Sequence, residues 1–404
     1  MSLNRVLHIN AVSGIKSTGR MCVEMAEYMN ANNIQTHIAH YSGSKYAKSY
    51  KISNFFDHKL HGLLARLTGL QGYYSIYSTR KLIAYIKKIK PQIVHLHNIH
   101  EGFLNTNMLL SYLAKNDIPT VITLHDCWFY TGRCCHYIQE NCDGWKYKCN
   151  KCKYLKSYYP SWFFDFAGKM YRDKELRLNR IHRLAVIGVS DWITSDAKES
   201  LLNDAKIIKR IYNWINTDLF NIGNREAIRK KLKLNEKFII LGVASEWNKD
   251  KNLQAFYELA DVLLDDMIIV LIGTIKNYKS NSKIINIKEI NDVSELVKYY
   301  NAADVFVSLS KAESFGLVII EALACGTPVI MTNNSSCHEI VQKKCGYITN
   351  SIEEIIYSIN KIKKNGRKYY SNECRNFAVK NFNQSKQIEE YLKVYNKLLS
   401  KKHK

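Results

Sequence analysis

Short apolar runs alternate with amphipathic stretches along the whole 404-residue chain, and this alternation limits the fold more than any other feature. In the first half VLHIN (6–10), QTHIAHY (35–41), QIVHLHN (92–98), TVITLHD (120–126) and RLAVIGVS (183–190) read as strands, the last closing the series. Between them RMCVEMAEYMNANN, STRKLIAYIKKIKP and NMLLSYLAKNDIP place apolar residues at helical spacing. Such alternation predicts a parallel sheet covered by helices. The second half repeats it with the strands KFIILGVAS, MIIVLIG, DVFVSLS and TPVIMTN and the helices NLQAFYELADVLL, VSELVKYYNAA and GLVIIEALACG. IYNWINTDLF (211–220) marks the seam. The expected organisation is an α/β chain of two Rossmann-like domains, 1–215 and 216–382, followed by a C-terminal helix and basic tail at 383–404. Two such halves predict a ligand cleft at the carboxyl ends of both sheets.

Composition narrows the class. The chain is 46% hydrophobic and 24% charged, as globular proteins are. No apolar run approaches the roughly 18 residues that span a bilayer, and MSLNRVLHI lacks the marks of a signal peptide. A soluble, cytoplasmic protein is expected. The formal net charge of +23 calls for an anionic partner. Residues 45–90 hold ten Lys or Arg against one acid, Asp57, with eight aromatics interleaved. A basic surface with aromatic and leucine anchors suits the inner face of an anionic membrane; the plainer alternative is a solvated, lysine-rich surface. No zinc-finger or RNA-binding signature is present, so no nucleic-acid partner is expected.

Two stretches carry candidate chemistry. NAVSGIKSTGRM (10–21) has the glycine spacing of a phosphate-binding loop, Gly14 and Gly19, but Arg20 and Met21 stand where Lys and Ser or Thr would be needed. Gly14 would let backbone pass close to a ligand, Arg20 either contacts phosphate or sits on a helix face, and Met21 joins an apolar face. SLSKAESFGLVIIEALACGTPVI (308–330) sets Glu313 in the loop after a strand and Glu321 in the first turns of a helix. The unpaired amides of a helix start form an anion site, and carboxylates suit sugar diols. The alternative is that Glu313 caps the helix and Glu321 lies on its exposed face.

That stretch, with HEIV (338–341) and CGYI (345–348), resembles the retaining nucleotide-sugar glycosyltransferases of glycosyltransferase family 4, which have the GT-B fold. STGRM, HLHNIHEGFLN and TLHDCWFYTGRC are similar to a bacterial exopolysaccharide and O-antigen subgroup. The resemblance implies that the C-terminal helix packs back on the first domain. It implies that Glu313 contacts the donor hexose, Glu321 the ribose, and the amides of Phe315, Gly316 and Leu317 the diphosphate. Lys251 fits the family's diphosphate lysine. Ser245 stands where an arginine is usual, and Lys249 is the candidate second charge. His125, just past a strand, would touch the donor sugar, with Asp126 on the acceptor side to orient it. No Asp-x-Asp motif follows a strand, so no divalent cation is expected to be required; lysines and helix-start amides would stabilise the departing diphosphate.

GRCCHYIQENCDGWKYKCNKCKYL lies in a cysteine-rich insertion at about 127–160. Cys149 and Cys152 have the spacing of a zinc knuckle, while seven residues separate Cys134 from Cys142. A structural zinc on these four is one account; buried free thiols or oxidative disulfides are the others. The expected activity is transfer of a sugar, with retention, from a nucleoside-diphosphate sugar to a saccharide acceptor, expected to be lipid-linked, in bacterial surface polysaccharide synthesis. A nucleotide-sugar epimerase and an inactive nucleotide-sugar or polysaccharide binder are the alternatives.

Overall fold

The computed structural model describes residues 2–43, 46–157, 159–290, 292–333 and 336–400. Lys45 of the basic region and residues 401–404 of the expected basic tail lie outside them. The chain divides into two units, Met1–Ile211 with Ile388–Lys404, and Tyr212–Gln387.

The first unit contains strands β1 (Arg5–Ser13), β2 (Gln35–Gly43), β3 (Ser49–Lys51), β4 (Ile93–Leu96), β5 (Thr120–Leu124), β6 (Leu184–Gly188) and β7 (Ile207–Arg210). Its helices are α1 (Lys16–Ala31), α2 (Phe55–Thr68), α3 (Ile76–Ile89), α4 (Thr106–Lys115), α5 (Ala167–Leu178) and α6 (Asp191–Glu199). The second contains β8 (Phe238–Glu246), β9 (Met267–Thr274), β10 (Ile284–Ile287), β11 (Val305–Ser308), β12 (Val329–Thr332) and β13 (Gly346–Thr349). Its helices are α7 (Glu226–Lys231), α8 (Leu253–Val262), α9 (Val293–Ala302), α10 (Leu317–Ala324), α11 (Cys337–Ile340), α12 (Ile352–Asn365) and α13 (Arg367–Phe382). The last helix, α14 (Gln384–Leu399), joins the first unit from Ile388 onward.

Both sheets are parallel, in the orders β3-β2-β1-β4-β5-β6-β7 and β10-β9-β8-β11-β12-β13. Strand order reverses between β1 and β4 in one and between β8 and β11 in the other. The loops leaving such a pair diverge and open a crevice at their carboxyl ends. The two-domain α/β architecture is as the alternation predicts. The strand series does not close near residue 190, however: β7 pairs with β6 beyond it. β3, β10 and β13 are only three or four residues long and too short to show a period.

Two local departures have clear causes. The expected Gly14–Arg20 loop shrinks to Gly14 and Ile15, because α1 already begins at Lys16. Gly14 has φ 69°, and its N–H donates to Gly19 O at 3.0 Å. A Cβ at Gly19 would stand 3.0 Å from the Val12 side chain and 3.2 Å from Gly14 N, so glycine lets the helix lie close on the strand. Helix α2 escapes the sequence pattern because its inner face is His61, Gly62 and Ala65 while Phe55, Phe56, Leu60 and Leu63 face outward.

The first sheet buries a row of histidines. His8 stands opposite His95, and His95 opposite Val121. With a side-chain period of two, His97, Thr123 and His125 fall on the same face. The His95 and His97 rings stack at 4.1 Å, and those of His97 and His125 at 5.3 Å. Helix α14 covers this face: Tyr395 Oη lies 2.6 Å from His95 Nδ1, and Tyr391 Oη 3.1 Å from Thr123 Oγ1. The expected packing of the C-terminal helix on the first sheet therefore rests on buried polar contacts as well as apolar ones.

Burial drives the His8 ring from 6.5 down to about 3, and that of His125 to about 4 against the pull of Asp126. His95 and His97 are also held well below the usual range by burial. Unfolding returns the rings to ordinary values, so the unfolded chain binds protons first and stability falls as pH drops from about 6.5 towards 4. Each neutral buried ring adds up to about 1.4 kcal/mol per pH unit to that fall. The melting temperature should decline steeply across this window, and less steeply in His8→Leu. Equal slopes for the two proteins would contradict the account.

Candidate functional site

In the second unit the β8 and β11 loops meet at the point where strand order reverses. Trp247 anchors the β8 loop: it is buried, its N–H donates to Thr274 O at 2.9 Å and its Nε1–H to Ile272 O at 3.1 Å. Asn248 Oδ1 then accepts from the N–H groups of Asp250 (2.9 Å) and Lys251 (3.1 Å), a local turn that short polar side chains favour. The Lys311 N–H donates to Asp250 O at 2.9 Å and ties the two loops together. As a result Lys251 Nζ reaches both carboxylate oxygens of Glu313, at 2.9 and 3.2 Å. Ser245 and Lys249 are exposed near the same strand end, and Lys251 rather than Lys249 pairs with Glu313.

Gly316, with φ 86°, turns the chain into α10. A Cβ there would stand 2.5 Å from Ile319 Cδ1 and 3.3 Å from Glu313 Cγ. Phe315 is buried against Tyr212 and Phe382, with ring centroids 5.7 and 5.5 Å away, which fixes the approach to the helix. The amides of Phe315, Gly316 and Leu317 thus stand at a helix start, where peptide dipoles favour an anion, beside a lysine–glutamate pair. Glu321 is 3% exposed and accepts from Tyr300 Oη at 2.9 Å. The exposed-face alternative for Glu321 is therefore wrong: Glu321 lies on the inner side of α10, where the tyrosine of α9 can reach it.

In the first unit the reversal falls between Gly14, after β1, and the segment after β4. Asn98 N–H donates to Asn10 Oδ1 at 3.1 Å, and Ala11 N–H to Asn98 O at 2.9 Å, joining the two strand ends. His125, partly exposed past β5, shares a proton with the His97 ring: Nε2 and Nδ1 are 3.1 Å apart. Asp126, expected to orient His125, faces elsewhere, because successive residues alternate sides at a strand end. Its Oδ2 lies 2.9 Å from His100 Nε2, and its Oδ1 accepts from Trp128 N–H at 2.9 Å. Burial opposes its charge, yet the adjoining His100 keeps the Asp126 carboxyl below its usual range. Arg20 lies on α1, 3.7 Å from Glu24 Oε1. Sequence reasoning missed Asn10, His97 and His100; the period-two histidines of HLHN beside TLHD were the available signal.

The insertion holds Cys134, Cys142, Cys149 and Cys152 as free thiols. Burial raises the Cys149 thiol to about 11, although Gly132 N–H donates to its sulfur at 3.1 Å. Four thiols suit zinc chemically, but zinc's 2.3 Å bonds need closely gathered sulfurs. Among the described residues the sets whose ligand atoms all lie within 4.8 Å are instead His8/His95/His97 and His100/Asp126/Cys135. Both nitrogens of His95 and of His97 are engaged in hydrogen bonds, so the first set is a proton-sharing array.

An apolar surface lies on α2. Phe56 is 81% exposed, and Phe55, Leu60 and Leu63 are exposed beside it. The segment Trp162–Phe163–Phe164 is also exposed and abuts the end of this helix, where Trp162 N–H donates to Arg66 O at 2.8 Å. Lys59 lies 5.3 Å from the Phe55 ring. No helix among the described residues is long and apolar enough to cross a membrane.

Comparison with known proteins places the chain in a family. Residues 18–219 match Glycosyltransferase Family 4, and residues 224–381 match Glycosyl transferases group 1. The chain is 25% identical over 318 residues to the putative colanic acid biosynthesis glycosyl transferase WcaC of Escherichia coli, covering 76% of this chain and 77% of that one. It is 23% identical over 323 residues to the alpha-monoglucosyldiacylglycerol synthase of Acholeplasma laidlawii, covering 76% and 75%. The structure of Anabaena Alr3699/HepE in complex with UDP-glucose superposes with a TM-score of 0.66 at 14% identity, covering 97% of this chain and 99% of that one. The chain belongs to glycosyltransferase family 4 and has the GT-B fold.

Proposed function

We propose that this glycosyltransferase moves a hexose or N-acetylhexosamine, with retention, from a nucleoside-diphosphate sugar to a lipid-linked saccharide in bacterial surface polysaccharide synthesis. The observation that carries the reading is the Lys251–Glu313 pair beside the start of α10, where strand order reverses. In this reading the amides of Phe315, Gly316 and Leu317 and the Lys251 ammonium take the diphosphate, Glu321 takes the ribose diol, and Glu313 and His125 take the donor sugar. Ser245 removes the usual arginine, which leaves Lys249 as a second cation for the phosphates.

The bond from the anomeric carbon to the phosphate oxygen breaks, and the bond to the acceptor oxygen forms on the same face. The departing phosphate oxygen takes the acceptor's proton, so no separate base is needed. Positive charge already placed at the leaving group stabilises it without reorganisation. Because the chain supplies that charge, the proposal calls for no divalent cation.

Membrane attachment is the second part of the proposal. The exposed aromatic and leucine face of α2, the Trp162–Phe164 segment and the lysines of 45–90 form the pattern of a protein lying on an anionic bilayer. The lipid product named for the Acholeplasma relative is in keeping with it. A structural zinc on Cys134, Cys142, Cys149 and Cys152 is the third part. It requires side-chain rotation to gather the sulfurs, and its role would be to brace the insertion.

Three experiments test these parts. Lys251→Ala and Glu313→Gln should each lower kcat/KM for transfer by about 100-fold or more, with EDTA leaving wild type unchanged and UDP-glucose as the first donor tried. Donor binding without transfer or hydrolysis by wild type would reduce the protein to a binder. Phe56→Asp with Leu60→Asp should abolish sedimentation with phosphatidylserine-containing vesicles and spare transfer to a soluble acceptor; unchanged sedimentation would refute the membrane surface. Purified protein should carry about one zinc per chain, lost in Cys149→Ser, and under about a tenth of an equivalent would reject the metal.

A further inference from the structure

A cavity of about 210 Å3 opens between α4 and α5 in the first unit, lined by Ser111, Ala114, Lys115, Arg177 and Arg180. Ser111 and Lys115 stand four apart on α4 and so share a helix face. Ala114 beside them carries only a methyl group, which leaves the space open. Arg177 lies in the last turn of α5 and Arg180 just beyond it. The lining thus carries three cations, one hydroxyl and no carboxylate.

Cations at helix C-termini ordinarily spend their charge on the last carbonyls. Arg177 instead reaches back to Asp173: its Nη1–H donates to Asp173 O at 2.8 Å and to Asp173 Oδ1 at 3.2 Å. Its Nε–H is buried and has no hydrogen-bond partner. Buried N–H groups are rarely left so, because losing the hydrogen bond to water is costly. Asp173 is shared with Lys169 Nζ at 2.8 Å and Tyr73 Oη at 2.5 Å, so it neutralises Arg177 only in part. Asp117, the nearest acid after α4 in sequence, is bound to Arg183 at 2.8 Å. Lys115 and Arg180 are exposed and make no hydrogen bond or ion pair among the described residues.

We propose that this cavity binds a phosphate group, carried by a small phosphorylated metabolite or by a lipid headgroup. A compact dianion meets three positive charges there, with no acid in the wall. The planar guanidinium fork matches phosphate oxygens, the ammonium serves as a point charge, and the Ser111 hydroxyl donates a further hydrogen bond. The volume lies below the roughly 300–1,000 Å3 of pockets that enclose drug-sized ligands, so only the phosphate and its nearest atoms enter. A whole nucleotide sugar does not fit. Every lining residue belongs to the first unit, and none is among the residues proposed to hold the sugar donor.

Equilibrium dialysis of radiolabelled inorganic phosphate against the full chain, at about 0.15 M salt, reads the site directly. Wild type should bind about one phosphate that Arg180→Gln and Lys115→Gln each bind about tenfold more weakly. Both side chains are exposed, so neither change disturbs the core. Phosphate held at the start of α10 is untouched by these variants, so the difference between the proteins reports this cavity whether or not the proposed transfer occurs. Lys198→Gln, which removes an exposed charge from α6, should bind as wild type does. Sedimentation with vesicles containing phosphatidic acid separates the two carriers. Loss of sedimentation in Arg180→Gln assigns the site to a headgroup, and unchanged sedimentation with weakened phosphate binding assigns it to a soluble phosphate compound. Equal phosphate binding by wild type and Arg180→Gln would overturn the proposal, as would an equal loss in Lys198→Gln, which would leave only the attraction of the net charge.

Discussion

Parallel strand pairing is the constraint on which the rest depends. A parallel pair needs a crossover, and crossovers leave by either side of the first strand. In each sheet the chain first builds outward from one strand, β1 or β8, and then returns to build outward from its other edge through β4 or β11. Only at that junction do two adjacent loops part. Gly14 and Asn98 lie at one such place, Lys251 and Glu313 at the other. Residues 62 positions apart become an ion pair because two strand ends are neighbours.

Within each loop, short-range contacts supply the finer placement. The side chain of Asn248 closes the turn that aims Lys251, Trp247 pins that turn to β9, and Gly316 bends the chain where a side chain would collide with Glu313 and Ile319. In the first unit the strand period does similar work. Histidines two residues apart along β4, one of them level with His8 on β1, must share a face, and burial then keeps them neutral. The cost is sensitivity to acid; the gain is a set of rings whose orientations are fixed by one another.

Much of the fold was legible because long apolar strands and amphipathic helices carry strong periods. The short edge strands β3 and β13 carry none, and α2 was hidden because its outward face is the apolar one. Glu313, Lys251 and His125 could be singled out from local motifs and family resemblance. Their partners could not. Asp126 adjoins His125 in sequence, and proximity in sequence suggested a pair; strand alternation turns the two apart and gives His125 to His97 and Asp126 to His100. The four cysteines illustrate the same limit, since spacing along a chain does not set distances between sulfurs.

The amino-acid sequence by itself determined two parallel α/β units, a basic and aromatic stretch in the first, and a glutamate-bearing loop leading into a helix in the second. Each of these follows from local periodicity, composition or motif, which need no long-range contact to be read. Tertiary structure alone decided that Lys251 grips Glu313, that Glu321 faces inward to Tyr300, that Gly14 and Gly19 close a tight strand–helix turn, and that His8, His97 and His125 share protons. These depend on which strands lie side by side and in what register, and that is settled only when both sheets are assembled.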